Sequence, residues 1–167
     1  CSININKFFN PFVEPEFSFK IIEDLDFSKA PYSVNQVYES IDSILPSIEI
    51  VDSRFQNWTT IGINNLIADN GANAYWIKGK KNKKIYEFNL SDHPVNLYIN
   101  DILIAEGNSS NVLDNPLNSL TWLINTLSKQ GKSLFKNCYI STGTCTPAIP
   151  VKKGDKVNAD FGKLGKV

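Results

Sequence analysis

Glu14 and Glu16 stand two residues apart in Phe12-Val13-Glu14-Pro15-Glu16-Phe17-Ser18-Phe19, and a third carboxylate, Glu49, lies in the apolar run from Ser47 to Val51. Read as a β-strand, the first segment puts both of its carboxylates on one face and Val13, Phe17 and Phe19 on the other. Like charges at neighbouring same-face positions repel each other. A cation between them would remove the conflict, and three carboxylate oxygens suit a hard ion such as Mg²⁺, Mn²⁺ or Ca²⁺. The competing reading is a solvated acidic strand face that holds nothing.

The other reactive side chains form no comparable set. His93 is the only histidine and sits in the loop-like Ser91-Asp92-His93-Pro94, so a structural role is expected and a Cys145–His93 nucleophilic pair is not. Cys138 reads as a core residue of an apolar strand. Arg54 is the only arginine among 17 basic residues, five positions after Glu49. Lysine cannot replace arginine in planar, bidentate pairing, so Arg54 is expected to position a carboxylate ligand or fix its strand, with a plain surface salt bridge as the alternative. Five lysines crowd Lys78 to Lys84 without interleaved aromatics, which reads as a solvated hairpin loop rather than a polyanion site.

The elements that must carry these residues are legible in part. Ser33 and Gln36 fit a capping box, and Val34, Val37, Tyr38, Ile41, Ile44 and Leu45 follow at helical spacing up to Pro46. A strand over Ser47 to Val51 and a short helix over Asn64 to Asp69 come next. Ala74 to Ile77 and Ile85 to Leu90 read as strands flanking the lysine run. Val95 to Ile99 and Ile102 to Glu106 pair across a two-residue Asn100-Asp101 turn. Asn115 or Asp114 caps a helix with Pro116 at its first position; Leu117, Leu120, Leu123, Ile124 and Leu127 form its apolar stripe, and Gly131 ends it. Cys138 to Thr142 and Lys156 to Phe161 read as closing strands. Strands interrupted by two or three helices give an α+β or mixed α/β fold, and 167 residues without a linker or repeat give one domain over 1–167.

Composition narrows the function classes. Seventeen acidic residues balance the basic ones, so no general attraction to nucleic acid or anionic membrane is expected, and no apolar stretch approaches a membrane span. Three cysteines fit reduced thiols in the cytoplasm better than a disulfide framework. Methionine is absent, so residue 1 is not expected to be a translation start. A chain opening on Cys1-Ser2 also fits the acylated cysteine of a bacterial lipoprotein, the alternative localisation.

Several of these stretches together resemble the 2-keto-4-pentenoate hydratase branch of the fumarylacetoacetate hydrolase superfamily, which includes 2-oxohept-3-enedioate hydratase and 4-oxalocrotonate decarboxylase. They are Val13 to Phe19, Ile48 to Phe55 with Asn57-Trp58, Ile67-Ala68-Asp69-Asn70, Asn115 to Leu123, Ser141 to Thr144, and Lys153 to Val157 leading to Phe161-Gly162. The ordered set spans nearly the whole chain and implies a mixed β-sandwich roll with two or three helices.

The resemblance makes Glu14, Glu16 and Glu49 the ligands of Mg²⁺ or Mn²⁺. It places Thr142, Gly143 and Thr144 in the loop lining the substrate pocket, and Asp69 and Asn70 in a polar motif near the metal, with Asp69 as the catalytic candidate and Asn70 binding substrate. The implied substrate is a small 2-keto acid, and the implied chemistry is hydration of a 2-hydroxy-2,4-dienoate or loss of CO₂, with the cation as Lewis acid and a positioned acid–base group beside it. Such enzymes serve bacterial aromatic catabolism. The family pattern also has a lysine-containing motif upstream of the Glu-x-Glu strand, which this chain does not contain and which Lys7 and Lys20 do not match by position. Two functions are therefore carried forward: a lyase that is a homo-oligomer or associates with such an N-terminal segment, and a non-catalytic relative that keeps the metal site as a binding or partner subunit.

Overall fold

The computed structural model describes all of residues 1–167. Two antiparallel sheets and three helices share one apolar core. The larger sheet runs β3-β2-β1-β6, with the short β7 (Ile149–Pro150) also on β1. Here β1 is Phe12–Ile21, β2 Ile41–Val51, β3 Asn73–Lys78 and β6 Tyr139–Thr144. The smaller sheet runs β5-β4-β8, from Ile102–Asn108, Pro94–Ile99 and Val157–Asp160.

Alternation along β1 builds the core. Phe17 and Phe19 are fully buried and meet Ile44, Leu97, Leu120, Ile124 and Phe161. Phe17 stands edge-on to Phe161 at 5.0 Å and to His93 at 5.5 Å, a favoured aromatic geometry. His93 is buried with Nε2 2.7 Å from the Phe161 carbonyl, a structural role as expected. Helix α3 (Pro116–Lys129) presents Leu117, Leu120 and Ile124 to the same core, with Asn115 accepting the Leu117 N–H as its cap. The Asn100-Asp101 turn has φ of 53° and 65°, the paired positive values that join a right-twisted hairpin. No helix is long and apolar enough to cross a membrane.

Two elements differ from the sequence reading. Helix α1 (Val34–Glu39), with its Ser33–Gln36 capping box, stops before Ile41, and β2 begins there. Ile41, Ile44 and Leu45 fit a helical stripe, but in the strand Ile44 pairs with Phe19 in the core while Leu45, paired with Ser18, is buried on the opposite face, and the register shift at Lys20/Ile21 sets Ile41 against Ile21. Ile85 to Leu90 is not a strand. Past β3 the lysine run continues alongside β2, where Asn82 exchanges both backbone bonds with Ile44 at 2.9 and 2.7 Å. The chain then leaves the sheet through a 3₁₀ turn at Ile85–Glu87, burying Ile85 and Leu90. Cys138 lies half-buried just before β6 rather than within it. The remaining α2 (Ile63–Ala68) matches the short helix expected there.

Candidate metal centre

The register of β1 on β2 sets Glu14 directly opposite Glu49, and Glu16 opposite Ser47. All three glutamates share the face away from Phe17 and Phe19. One carboxylate oxygen of each lies within 4.8 Å of the others. That spread is what ligands across one ion show when each is about 2.1–2.6 Å from it. Three oxygen donors of this kind fit a hard divalent cation, and the residues present therefore suit the ion that the resemblance implies.

Electrostatics agree with the donor chemistry. Burial lifts the Glu14 carboxyl to about 7, and the Glu49 charge adds to the rise. Glu16, 3% exposed, is held well above the ordinary carboxylate range by burial, then by the charges of Glu49 and Glu14. Glu49 is raised by burial too, against the pull of the Asn73 amide. Without a positive partner, the folded chain favours protons on groups that would otherwise be charged. A cation offers the alternative compensation.

Neighbouring groups orient the ligands. Asn73 Nδ2 donates to Glu49 Oε1 at 2.7 Å. The Ser141 hydroxyl donates to Glu16 Oε2, and the Gly143 N–H bonds the same carboxylate. Gly143 has φ +122°, which an L side chain rarely adopts, so glycine is required where the backbone N–H meets Glu16. Ser141 was not singled out by the sequence reading, although it opens the Ser141-Thr142-Gly143-Thr144 stretch and alternation puts it on the glutamate face.

The other expected site residues are placed differently. Thr142 is buried with its hydroxyl donating to the Phe17 carbonyl at 2.8 Å, and Thr144 donates to the Thr146 carbonyl at 2.6 Å. Both hydroxyls therefore tie β6 and its following loop to the sheet. Asp69 is buried past the end of β2. Its Oδ2 accepts from the Ser53 hydroxyl and, at 3.2 Å, from the Arg54 N–H, while Oδ1 pairs with Arg54 Nε. The Ser53 bond, then the Arg54 bonds and charge, hold Asp69 below the usual carboxylate range. Asn70 follows, exposed, at φ 56°. Arg54 thus pairs with Asp69 rather than with one of the three clustered glutamates, and holds the chain beyond β2 instead of positioning a ligand carboxylate. Cys145 is buried, and desolvation pushes its thiol up to about 12, far from a nucleophile's range.

No protein-family model matches the chain. Curated proteins do. It is 29% identical over 157 residues to 2-keto-4-pentenoate hydratase 2 of Dechloromonas aromatica (strain RCB), covering 94% of this chain and 59% of that protein. It is 28% identical over 170 residues to 2-oxo-hept-4-ene-1,7-dioate hydratase of Escherichia coli, covering 99% and 63%. Among solved structures, 4-oxalocrotonate decarboxylase from Pseudomonas putida G7, complexed with magnesium and adipate, superposes with a TM-score of 0.91 at 28% identity, covering 99% and 62%. The chain thus spans about three-fifths of the length of the relatives it matches. It resembles the hydratase and decarboxylase branch of the fumarylacetoacetate hydrolase superfamily and has that fold.

Proposed function

We propose that this chain carries the metal-binding, substrate-anchoring part of a lyase of the 2-keto-4-pentenoate hydratase type, acting on a small 2-keto acid. The single observation that carries the reading is the convergence of Glu14, Glu16 and Glu49 on one sheet face, their oxygens within 4.8 Å of one another. The magnesium complex of the similar decarboxylase supports the choice of ion. Mg²⁺, with Mn²⁺ as the alternative, would be held by these three carboxylates and would supply a Lewis-acidic anchor for the carboxylate and keto oxygens of the substrate.

The chain's own residues then have separate tasks. Ser141 and the Gly143 N–H fix Glu16, and Asn73 fixes Glu49, so the donors are oriented before anything binds. Gly143 and Thr144 border the same face from β6 and would line the bound acid, with Thr142 locking that strand to β1 through the Phe17 carbonyl. Asp69 and Arg54 secure the chain beyond β2, and Asn70 beside them stays free for a substrate contact.

Hydration of a 2-hydroxy-2,4-dienoate is the favoured reaction, with decarboxylation as the family alternative. A homo-oligomer is also proposed: edge strand β5 exposes Ile102, Leu103 and Ile104 consecutively, a run a second copy could cover. The cytoplasm is the proposed compartment. A second reading, a metal-holding subunit without catalysis, draws on Asp69, whose two oxygens are both already taken.

Calorimetry with oxalate, which mimics the chelating head of a 2-keto acid, tests the reading. Binding is expected with Mg²⁺ present and none without it. Metal-independent binding would overturn it. Turnover of a 2-hydroxy-2,4-dienoate, followed by loss of its ultraviolet absorbance, separates lyase from inactive relative.

A further inference from the structure

The strands that carry the three glutamates turn their alternate residues the other way, into a cleft. Val13 precedes Glu14, Ile48 and Ile50 flank Glu49, and Ile77 pairs with Ile48 from β3. These four side chains line a cavity of about 880 Å³, whose other apolar wall is Val157 on β8 and Val151 just past β7. By strand alternation it lies on the reverse side of the sheet from the carboxylates and is no part of the metal centre. A cavity of this size suits a small organic ligand rather than a folded partner. Its cover is loose. Ile3 and Ile5, both half-buried, line the cavity from the N-terminal segment, whose hydrogen bonds stay within its own turn: Asn4 accepts from Asn6 and Lys7, and Ile5 from Phe8. A bound aliphatic chain can therefore displace these two side chains without breaking a hydrogen bond to the sheets.

The rim of the cavity carries charge of one sign. Lys80 borders it from beyond β3, and Lys152, Lys153 and Lys156 border it from the turn between β7 and β8, with Lys166 nearby. Lys156 pairs with Asp101 at 3.3 Å and Lys166 with Asp160 at 2.7 Å. Lys80, Lys152 and Lys153 are exposed and have no carboxylate within salt-bridge distance. Asp155 is the one acidic side chain in the lining, and its oxygens are taken by the Asn100 amide at 3.0 Å and the Lys152 N–H at 2.9 Å. The whole chain has as many acidic as basic residues, so this excess of ammonium groups is local. Lysine stems can flank an aliphatic chain while their heads meet its anionic end at the mouth. An apolar floor under a rim of unpaired cations is complementary to an amphipathic anion.

We propose that this cleft is a second binding site, which takes a long-chain aliphatic monocarboxylate. The hydrocarbon chain lies on Val13, Ile48, Ile50 and Ile77 in place of Ile3 and Ile5, and the carboxylate meets Lys80, Lys152 and Lys153. The site needs no metal ion and does not depend on the lyase function proposed above.

Calorimetric titration of the full chain with dodecanoate, below its micelle concentration and with EDTA in place of Mg²⁺, tests the site, because the carboxylate cannot then be held through a metal ion. Saturable binding is expected, with the methyl resonances of Ile48, Ile77 and Val157 shifting as the ligand is added. Octanoate is expected to bind at least about tenfold more weakly, since each buried methylene contributes to affinity. Dodecyltrimethylammonium, of the same chain length and opposite charge, is expected not to bind. In Lys80→Gln/Lys152→Gln/Lys153→Gln the affinity for dodecanoate falls about tenfold. Absence of binding, equal affinity for the cationic amphiphile, or an affinity unmoved in the triple variant overturns the site. Tighter binding of a polyglutamate peptide, or a dimer in sedimentation that the triple variant dissolves, gives the cleft to a polypeptide and overturns it as well. Oxalate binding with Mg²⁺ is read separately, so this site and the lyase function can fail independently.

Discussion

Glu14 and Glu49 face each other directly across the β1–β2 pair, the cross-strand position at which two like charges are most unfavourable. Glu16, more deeply buried, completes the cluster. The sheet tolerates this arrangement through proton uptake or through a bound cation, and the two can be told apart.

With Mg²⁺ at about a hundred times its dissociation constant, the chain is expected to gain roughly 2.7 kcal/mol of stability. For a domain of this size that raises the melting temperature by roughly 5–10 °C. Glu16→Gln is expected to remove the gain. It should also stabilise the metal-free chain near neutral pH, because a neutral amide spares the fold the cost of either protonating or burying that carboxylate. Thermal melts of both proteins with and without Mg²⁺ measure each effect, and an equal metal-induced shift in the variant would contradict the ligand assignment.

The pH dependence follows from the raised carboxyls. Glu14 has a folded value of about 7 against an ordinary 4.5, and Glu16 and Glu49 shift in the same direction. Between those values the native state binds more protons than the unfolded one, so stability falls as pH rises. In the metal-free chain this contribution is fully present below about pH 4.5 and lost through about pH 7. Mg²⁺ must displace the protons, so its affinity should rise over the same window with measurable proton release. Titrations at pH 5.5 and 8 in buffers of different ionisation enthalpy check both statements. Affinity that does not change with pH would count against the cluster.

Gly107 on β5 passes so close to the loop after β6 that an added Cβ would lie 2.0 Å from the Cys145 carbonyl oxygen. That carbonyl accepts from the Asn111 amide at 2.8 Å and the Asn108 N–H at 3.3 Å, so it is not free to move. Gly107→Ala is expected to cost about 1–3 kcal/mol, the usual range for overpacking. Because the loop continues from Gly143 and Thr144, the Mg²⁺-induced shift should shrink as well. Denaturant unfolding with and without Mg²⁺ reads both.

Asp69→Asn separates the Arg54 clamp from the metal centre. Ser53 and Arg54 lose a charged acceptor, so the melting temperature should fall. The increment due to Mg²⁺ should persist, since Asp69 lies outside the group of three glutamates. Loss of that increment would make Asp69 part of ion binding.

The glutamate cluster was legible because strand alternation is a local rule: once Phe17 and Phe19 face inward, Glu14 and Glu16 have only the other face. The Asn100-Asp101 hairpin and helix α3 were legible for the same reason, since turn and cap residues act within a few positions. Helix α1 was over-extended because Ile41, Ile44 and Leu45 satisfy a helical period equally well. Only the pairing of β2 with β1, twenty or more residues away, decides against it. The lysine run misled for a related reason. Its composition suits a turn, whereas its path is set by Asn82 bonding to Ile44, and no local pattern announces that contact. The partners of Asp69 were likewise hidden, although the lone arginine pointed towards a carboxylate.

The antiparallel match of β1 to β2 ties the ion site to the oily interior. A slip of a single position between these strands would turn Phe17 and Phe19 into water and drive the carboxylates inward. The aromatic interior therefore acts as a vernier for the ligand geometry. Substitutions at Phe17 or Phe19, on the reverse side of the sheet from every ligand atom, should degrade ion affinity as surely as they loosen the fold.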